Sequence, residues 1–160
     1  SIVLNSPINL RKLVRSTKDM DIQDPQEDYI SRISVKIEEL RKSCWANLGV
    51  SRNESNMIQF LHSINNDIDQ LQKNPLLNNL KKIEIDQKIK LSEPNRRGLN
   101  LLLDLQNRQI TTLTLLKACL FREESRGGHY RYDFPVKDEK WECHTRQQLG
   151  QKIKKRFIEN

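Results

Sequence analysis

The chain has 160 residues, 36% of them hydrophobic and 31% charged, with only five Gly and five Pro. So few turn formers argue against a sandwich or barrel, which needs a turn signal about every 8–12 residues. The net charge is +7, and from Arg126 to Asn160 nine Lys/Arg stand against five Asp/Glu. The apolar share is low for a globular chain, so either the core is small or one face packs on something else.

The glycines, Gly49, Gly98, Gly127, Gly128 and Gly150, include no two separated by a single residue. That excludes a Gly-x-Gly-x-x-Gly dinucleotide fingerprint, and no Walker phosphate loop is present. Cys44, Cys119 and Cys143 are odd in number and lack paired spacing, which predicts free thiols in a reducing, cytoplasmic setting. Apolar runs such as Leu101 to Leu103 are far short of the roughly 18 residues of a membrane span. The start, Ser1-Ile2-Val3-Leu4, has no positive n-region and predicts no signal peptide. Because the first residue is Ser and not Met, the chain is expected to be a piece of something longer.

In chain order, residues 1–24 look like a lead-in. Ile30, Ile33, Ile37, Leu40, Cys44 and Leu48 follow in steps of three and four, which predicts a helix over about 25–48. Asp24 is placed to cap it, with Pro25 at the first helical position and Glu27 completing a capping box. Gly49 is placed to end it. Ser51-Arg52-Asn53-Glu54 reads as a second capping box, and Met57, Leu61, Ile64, Ile68 and Leu71 predict a second helix over about 51–74, closed by Pro75. Residues 75–92 fit either a short helix or an extended loop. Leu99, Leu102, Leu103, Leu105, Ile110, Leu113, Leu116 and Leu120 predict a third helix over about 93–126, stopped by Gly127-Gly128. Leu101 and Leu115 widen its apolar stripe. The expected fold class is all-α, an antiparallel three-helix bundle (spectrin-repeat-like) over 25–126. An extended tail over 127–160 ends in the basic run Lys152, Lys154, Lys155 and Arg156.

Few groups offer chemistry. His62, His129, His144 and Cys143 lack the ligand spacing of a zinc site. Cys143-His144 has no oxyanion loop beside it, as a catalytic thiol would need. The basic end lacks interleaved aromatic residues, so nothing beyond weak attraction to nucleic acid is expected. The segment Arg122 to Pro135 differs in kind. As an extended strand it would carry His129, Arg131 and Asp133 on one face and Tyr130, Tyr132 and Phe134 on the other. The aromatic face is expected to be covered. Arg126 and Arg131 are expected to offer bidentate contacts to a partner domain.

Glu124, Ser125, Arg126, Gly127, His129, Arg131, Asp133 and Pro135 fill every fixed position of the pattern Glu-Ser-Arg-Gly-x-His-x-Arg-x-Asp-x-Pro. The chain thereby resembles the C-terminal domain of the flavoprotein family that includes L-aspartate oxidase, succinate dehydrogenase and fumarate reductase. Leu40, Arg41, Trp45, Gly49 and Arg52 resemble the family's Leu-Arg-x-x-Met-Trp-x-x-x-Gly-Ile-x-Arg signature, with Cys44 in place of Met. Trp141 and His144-Thr145 resemble its Trp…His-Thr element. Trp45 favours the aspartate oxidase branch.

The resemblance implies a helical domain that packs against the flavin and capping domains of the same polypeptide, with residues 1–24 as the linker from the flavin domain. It implies a full-length enzyme that oxidises aspartate to iminoaspartate with FAD, on the way through quinolinate to NAD, with quinolinate synthase as a further candidate partner. FAD and the catalytic residues would lie in the missing part. This chain alone would be inactive, with no catalytic, cofactor-binding or metal residue of its own. Residues 124–135 would form the docking motif, and Arg131→Ala would weaken docking while leaving the bundle folded. The alternatives are the corresponding domain of a succinate dehydrogenase or fumarate reductase flavoprotein, and a stand-alone helical interaction module.

Overall fold

A computed structural model describes residues 16–17, 27–82, 87–88, 91–148 and 150–157. The described residues are predominantly helical. Four helices, α1 (Glu27–Leu48), α2 (Glu54–Gln72), α3 (Pro75–Lys81) and α4 (Glu93–Phe121), are joined by short strands. The strands are β1 (Ser16–Thr17), β2 (Ser51–Arg52), β3 (Gln87–Lys88), β4 (Tyr130–Arg131), β5 (Cys143–Arg146) and β6 (Lys154–Phe157). They pair as β1 with β3 and β2 with β4, both parallel, and β5 with β6, antiparallel.

The residues divide into two compact units. One holds 67–108 together with the first part of α1. Its buried side chains include Ile33, Ile68, Leu76, Leu77, Leu80, Leu99, Leu102 and Leu105. Each such side chain contributes about 1.5–3 kcal/mol by leaving water. Residues 75–81, open between helix and loop in the sequence, form α3. Asn74 caps it, its Oδ1 accepting from the amides of Leu76 and Leu77. Its Nδ2 donates to the Tyr29 hydroxyl at 2.6 Å. Pro75 thus closes one helix and opens the next, because the first helical position needs no amide donor.

The other unit holds 39–66 and 109–160. Leu40, Leu48, Met57, Phe60, Ile64, Leu113, Leu116, Trp141 and Cys143 are buried there. The predicted stripes of all three long helices are buried or half-buried, with one exception. Leu115, expected to widen the third, is 48% exposed. His62 lies on the exposed side of α2, and Cys143 and His144 differ in burial as adjacent strand residues should. In the tail, residues 143–146 and 154–157 are held as strands. β6 pairs with β5, and Lys155 places its ammonium 3.4 Å from the centroid of the Trp141 ring, a cation–π contact.

The helix ends differ from expectation in two places, and the cap Asp24 with Pro25 lies outside the described residues. α2 begins at Glu54, because Ser51–Arg52 is engaged as strand β2 and the cap passes to Asn53, whose Oδ1 accepts from the Asn56 amide at 2.8 Å. α4 ends at Phe121, well before the double glycine. Gly127, at φ 57°, instead turns the chain so that Arg126 and His129 exchange backbone bonds at 2.8 and 3.1 Å. Gly49 follows the end of α1 at Leu48, as expected. A Cβ there would lie 2.6 Å from the Trp45 carbonyl oxygen. Gly49→Ala should therefore cost about 1–3 kcal/mol by forced backbone movement, read as a lower midpoint in a urea melt. An unchanged midpoint would show that the helix end absorbs the methyl.

Candidate functional site

The motif residues 124–135 gather at the C-terminus of α4. A helix end leaves its last carbonyls unpaired and carries partial negative charge. Arg131, 0% exposed, meets both needs. One terminal guanidinium nitrogen donates to the carbonyls of Cys119, Leu120 and Arg122 at 3.3, 3.0 and 3.2 Å. Its Nε and other terminal nitrogen hold the Asp133 carboxylate bidentately, with Nε at 2.9 Å. Asp133 Oδ2 also accepts from the Glu54 amide at 3.0 Å, at the N-terminus of α2. The pair therefore sets a cation on one helix's negative end and an anion on another's positive end. Arg131 holds the Asp133 carboxyl below its ordinary range, outweighing its partial burial.

A second buried charge lies beside it. Glu124 is 0% exposed. It accepts from Arg126 Nε at 3.0 and 3.1 Å, from Arg122, and from the Asp138 amide at 3.1 Å. Burial alone would raise its pKa, but these donors outweigh it and hold the carboxyl down at about 2. Arg122 carries the network onward, donating to the Trp141 carbonyl at 3.0 Å and to that of Cys143. Ser125 Oγ accepts from the Arg131 amide at 2.9 Å and donates to the Phe134 carbonyl at 2.7 Å.

His129 bridges a backbone carbonyl and a guanidinium. Nε2 lies 3.2 Å from the Arg122 carbonyl and Nδ1 3.3 Å from an Arg52 terminal nitrogen. A carbonyl can only accept and a guanidinium only donate, so the ring carries its proton on Nε2 and is neutral. Burial pushes its pKa down, and the charges of Arg52, Arg122 and Arg131 add to that against the Arg122 carbonyl.

The strand expectation for 129–134 is met only at Tyr130–Arg131, which pairs with β2 in the register Ser51↔Tyr130, Arg52↔Arg131. The aromatic face is not covered throughout: Tyr130 and Tyr132 meet edge-to-face at 5.2 Å, yet Tyr132 stays 63% exposed. Phe134 packs on the Arg131 guanidinium at 4.6 Å. The structure thus brings Glu124, Ser125, Arg126, His129, Arg131 and Asp133 into one network, with Gly127 at its turn and Pro135 exposed. Arg122 and Asp138 belong to the same network and were not singled out in the sequence. The available signal was an Arg two residues before a Glu at a helix end. Of the other signature residues, Leu40 is buried, Arg52 joins the network, and Arg41 and Trp45 face outward.

Where β2 runs into the N-terminus of α2, the Asp133 carboxylate already occupies the Glu54 amide. Cys119 is buried, and burial pushes its thiol pKa up despite Arg52 and Arg131. No group of three or more potential metal ligands occurs among the described residues. None of their helices is long and apolar enough to cross a membrane.

Most of the motif's charged groups thus pair with one another and with helix ends. Residues 37–158 match the family described as the fumarate reductase flavoprotein C-terminal domain. The chain belongs to this family, the C-terminal domain of succinate dehydrogenase and fumarate reductase flavoproteins. It is 37% identical over 114 residues to an L-aspartate oxidase of Synechocystis sp., covering 67% of this chain and 20% of that protein. It is 28% identical over 163 residues to a fumarate reductase (CoM/CoB) subunit of Methanothermobacter marburgensis, covering 99% of this chain and 27% of that protein. A second L-aspartate oxidase, of Nostoc sp., is 25% identical over 116 residues, covering 72% and 20%. The chain thus spans about a quarter or less of the length of these relatives. No solved structure matches it.

Proposed function

We propose that this chain is the C-terminal helical domain of an FAD-dependent L-aspartate oxidase, a cytoplasmic enzyme that converts aspartate to iminoaspartate for NAD biosynthesis. In this reading the long helices close as an antiparallel three-helix bundle, and the bundle packs on the flavin and capping domains that precede it. FAD is bound by those domains, quinolinate synthase is a candidate recipient of the product, and the chain by itself has no activity. The observation that carries the branch assignment is the 37% identity to the Synechocystis L-aspartate oxidase, against 28% to the Methanothermobacter fumarate reductase. The geometry supports a supporting role: the motif's ionisable groups bind one another and helix ends, which leaves them no reacting partner.

Two chimeras test this. In one, the chain replaces the matching C-terminal portion of the Synechocystis L-aspartate oxidase, and in the other that of the Methanothermobacter fumarate reductase. The expected result is that the first retains flavin and oxidises aspartate, while the second loses flavin. Flavin retained only by the second chimera would favour the fumarate reductase alternative, and loss from both would overturn the reading.

A further inference from the structure

Outside the charged knot, one surface of the same unit stands apart. An open groove of about 830 Å³ is lined by Trp45, Leu48, Val50 and Leu115 together with Arg41, Lys42 and Arg52. Trp45 is 79% exposed and Val50 71%. These two and Leu115 are three of the eight large hydrophobic side chains exposed among the described residues, and they converge on one groove. Single exposed apolar residues are ordinary, whereas a contiguous set marks a contact surface. Tryptophan is also the side chain most enriched at binding hot spots.

The groove's charge has one sign. Three cations line it, and no Asp or Glu does among the described residues. Arg52 donates to the carbonyls of Leu48 and Gly128 and to the neutral His129 ring, so these bonds leave its charge uncancelled. Gly128 lines the groove as well, so the Arg126–His129 turn forms one of its walls. The knot and the groove are thus continuous.

We propose that this groove is the docking face for the oxidoreductase portion that the relatives carry and this chain does not span. It would receive a segment that presents a carboxylate beside an apolar side chain. The inference rests on the function proposed above. It moves the contact from the motif's arginines, which are consumed internally, to Trp45 and its cationic rim. The partner's chemistry follows from complementarity: an apolar side chain covers the indole, and the carboxylate answers Lys42 and Arg52. The missing length supplies the occupant, since the relatives extend several-fold beyond the matched segment.

Hydroxyl-radical footprinting of the chain alone and of the Synechocystis chimera tests this, with buried Trp141 as internal reference. Trp45 should oxidise about tenfold more slowly in the chimera, as an exposed hot-spot indole does once covered. Trp45→Ala and Lys42→Glu should leave the urea midpoint of the chain unchanged but lower the temperature at which the chimera releases flavin. A chimera that keeps its flavin while Trp45 reacts as in the free chain overturns the groove and leaves the proposed function standing. A chimera with the parent chain that cannot hold flavin overturns the proposed function, and this inference with it. Protection of Trp45 in the chain alone that grows with concentration would assign the groove to a second copy and overturn it too.

Discussion

Replacing Arg131 with Met is expected to cost the folded chain about 3–5 kcal/mol, the usual penalty for breaking a buried charge pair by removing one partner. The change leaves the carbonyls of Cys119, Leu120 and Arg122 without their shared donor and strips Asp133 of its bidentate partner. Met keeps much of the aliphatic volume, so the loss reports the charge and not a cavity. Against a total stability of about 5–15 kcal/mol for a domain, this is a large fraction. A urea melt checks it. From the sequence, Arg131 reads as a docking group whose loss would spare the fold; the burial of the side chain reverses that expectation. A melt of the variant that coincides with the parent's would restore the docking role.

Glu124→Gln is expected to cost about 3 kcal/mol or more at pH 7, since Arg122 and Arg126 would then face one another without the carboxylate between them. Its second signature is in pH. The Glu124 carboxyl titrates at about 2 in the folded chain and near its ordinary 4.5 when unfolded. Between those values the unfolded state binds more protons, so stability falls as pH falls through that window. Above about pH 4.5 the contribution is complete. Asp133, also held below its ordinary range, adds in the same direction. Melts of parent and variant at pH 7, 4 and 2.5 should converge as the acid is approached. A difference that stays constant over that range would mean the Glu124 charge is not what stabilises the network.

The helices were legible because burial repeats every three to four residues, and Met57, Ile64 and Ile68 announce their face without any tertiary knowledge. Helix ends were less so. Ser51 and Asn53 are both good caps, and what selects Asn53 is the pairing of β2 with a strand nearly eighty positions downstream. The end of α4 was missed because glycine is a strong stop signal, whereas Phe121 gives none; the actual terminator is the Arg131 guanidinium, ten residues on. The motif's membership was plain in the sequence, but its direction was not. Alternation puts His129, Arg131 and Asp133 on one side; it cannot say whether that side faces a partner or a helix terminus. Trp45 fell beside the stripe position Cys44, and only the solvent exposure of its ring separates it from the core.

The strap from α4 to α2 has a consequence for synthesis. The amide of Glu54 waits for a carboxylate 79 residues later in the chain. Chains are made from the N-terminus, and local helices form long before distant partners exist. The helices can therefore appear early on the ribosome, with the start of one and the end of another still bare. Residues 131–133 then act as a latch: the ends of α2 and α4 are fastened only once Arg131 and Asp133 have been made.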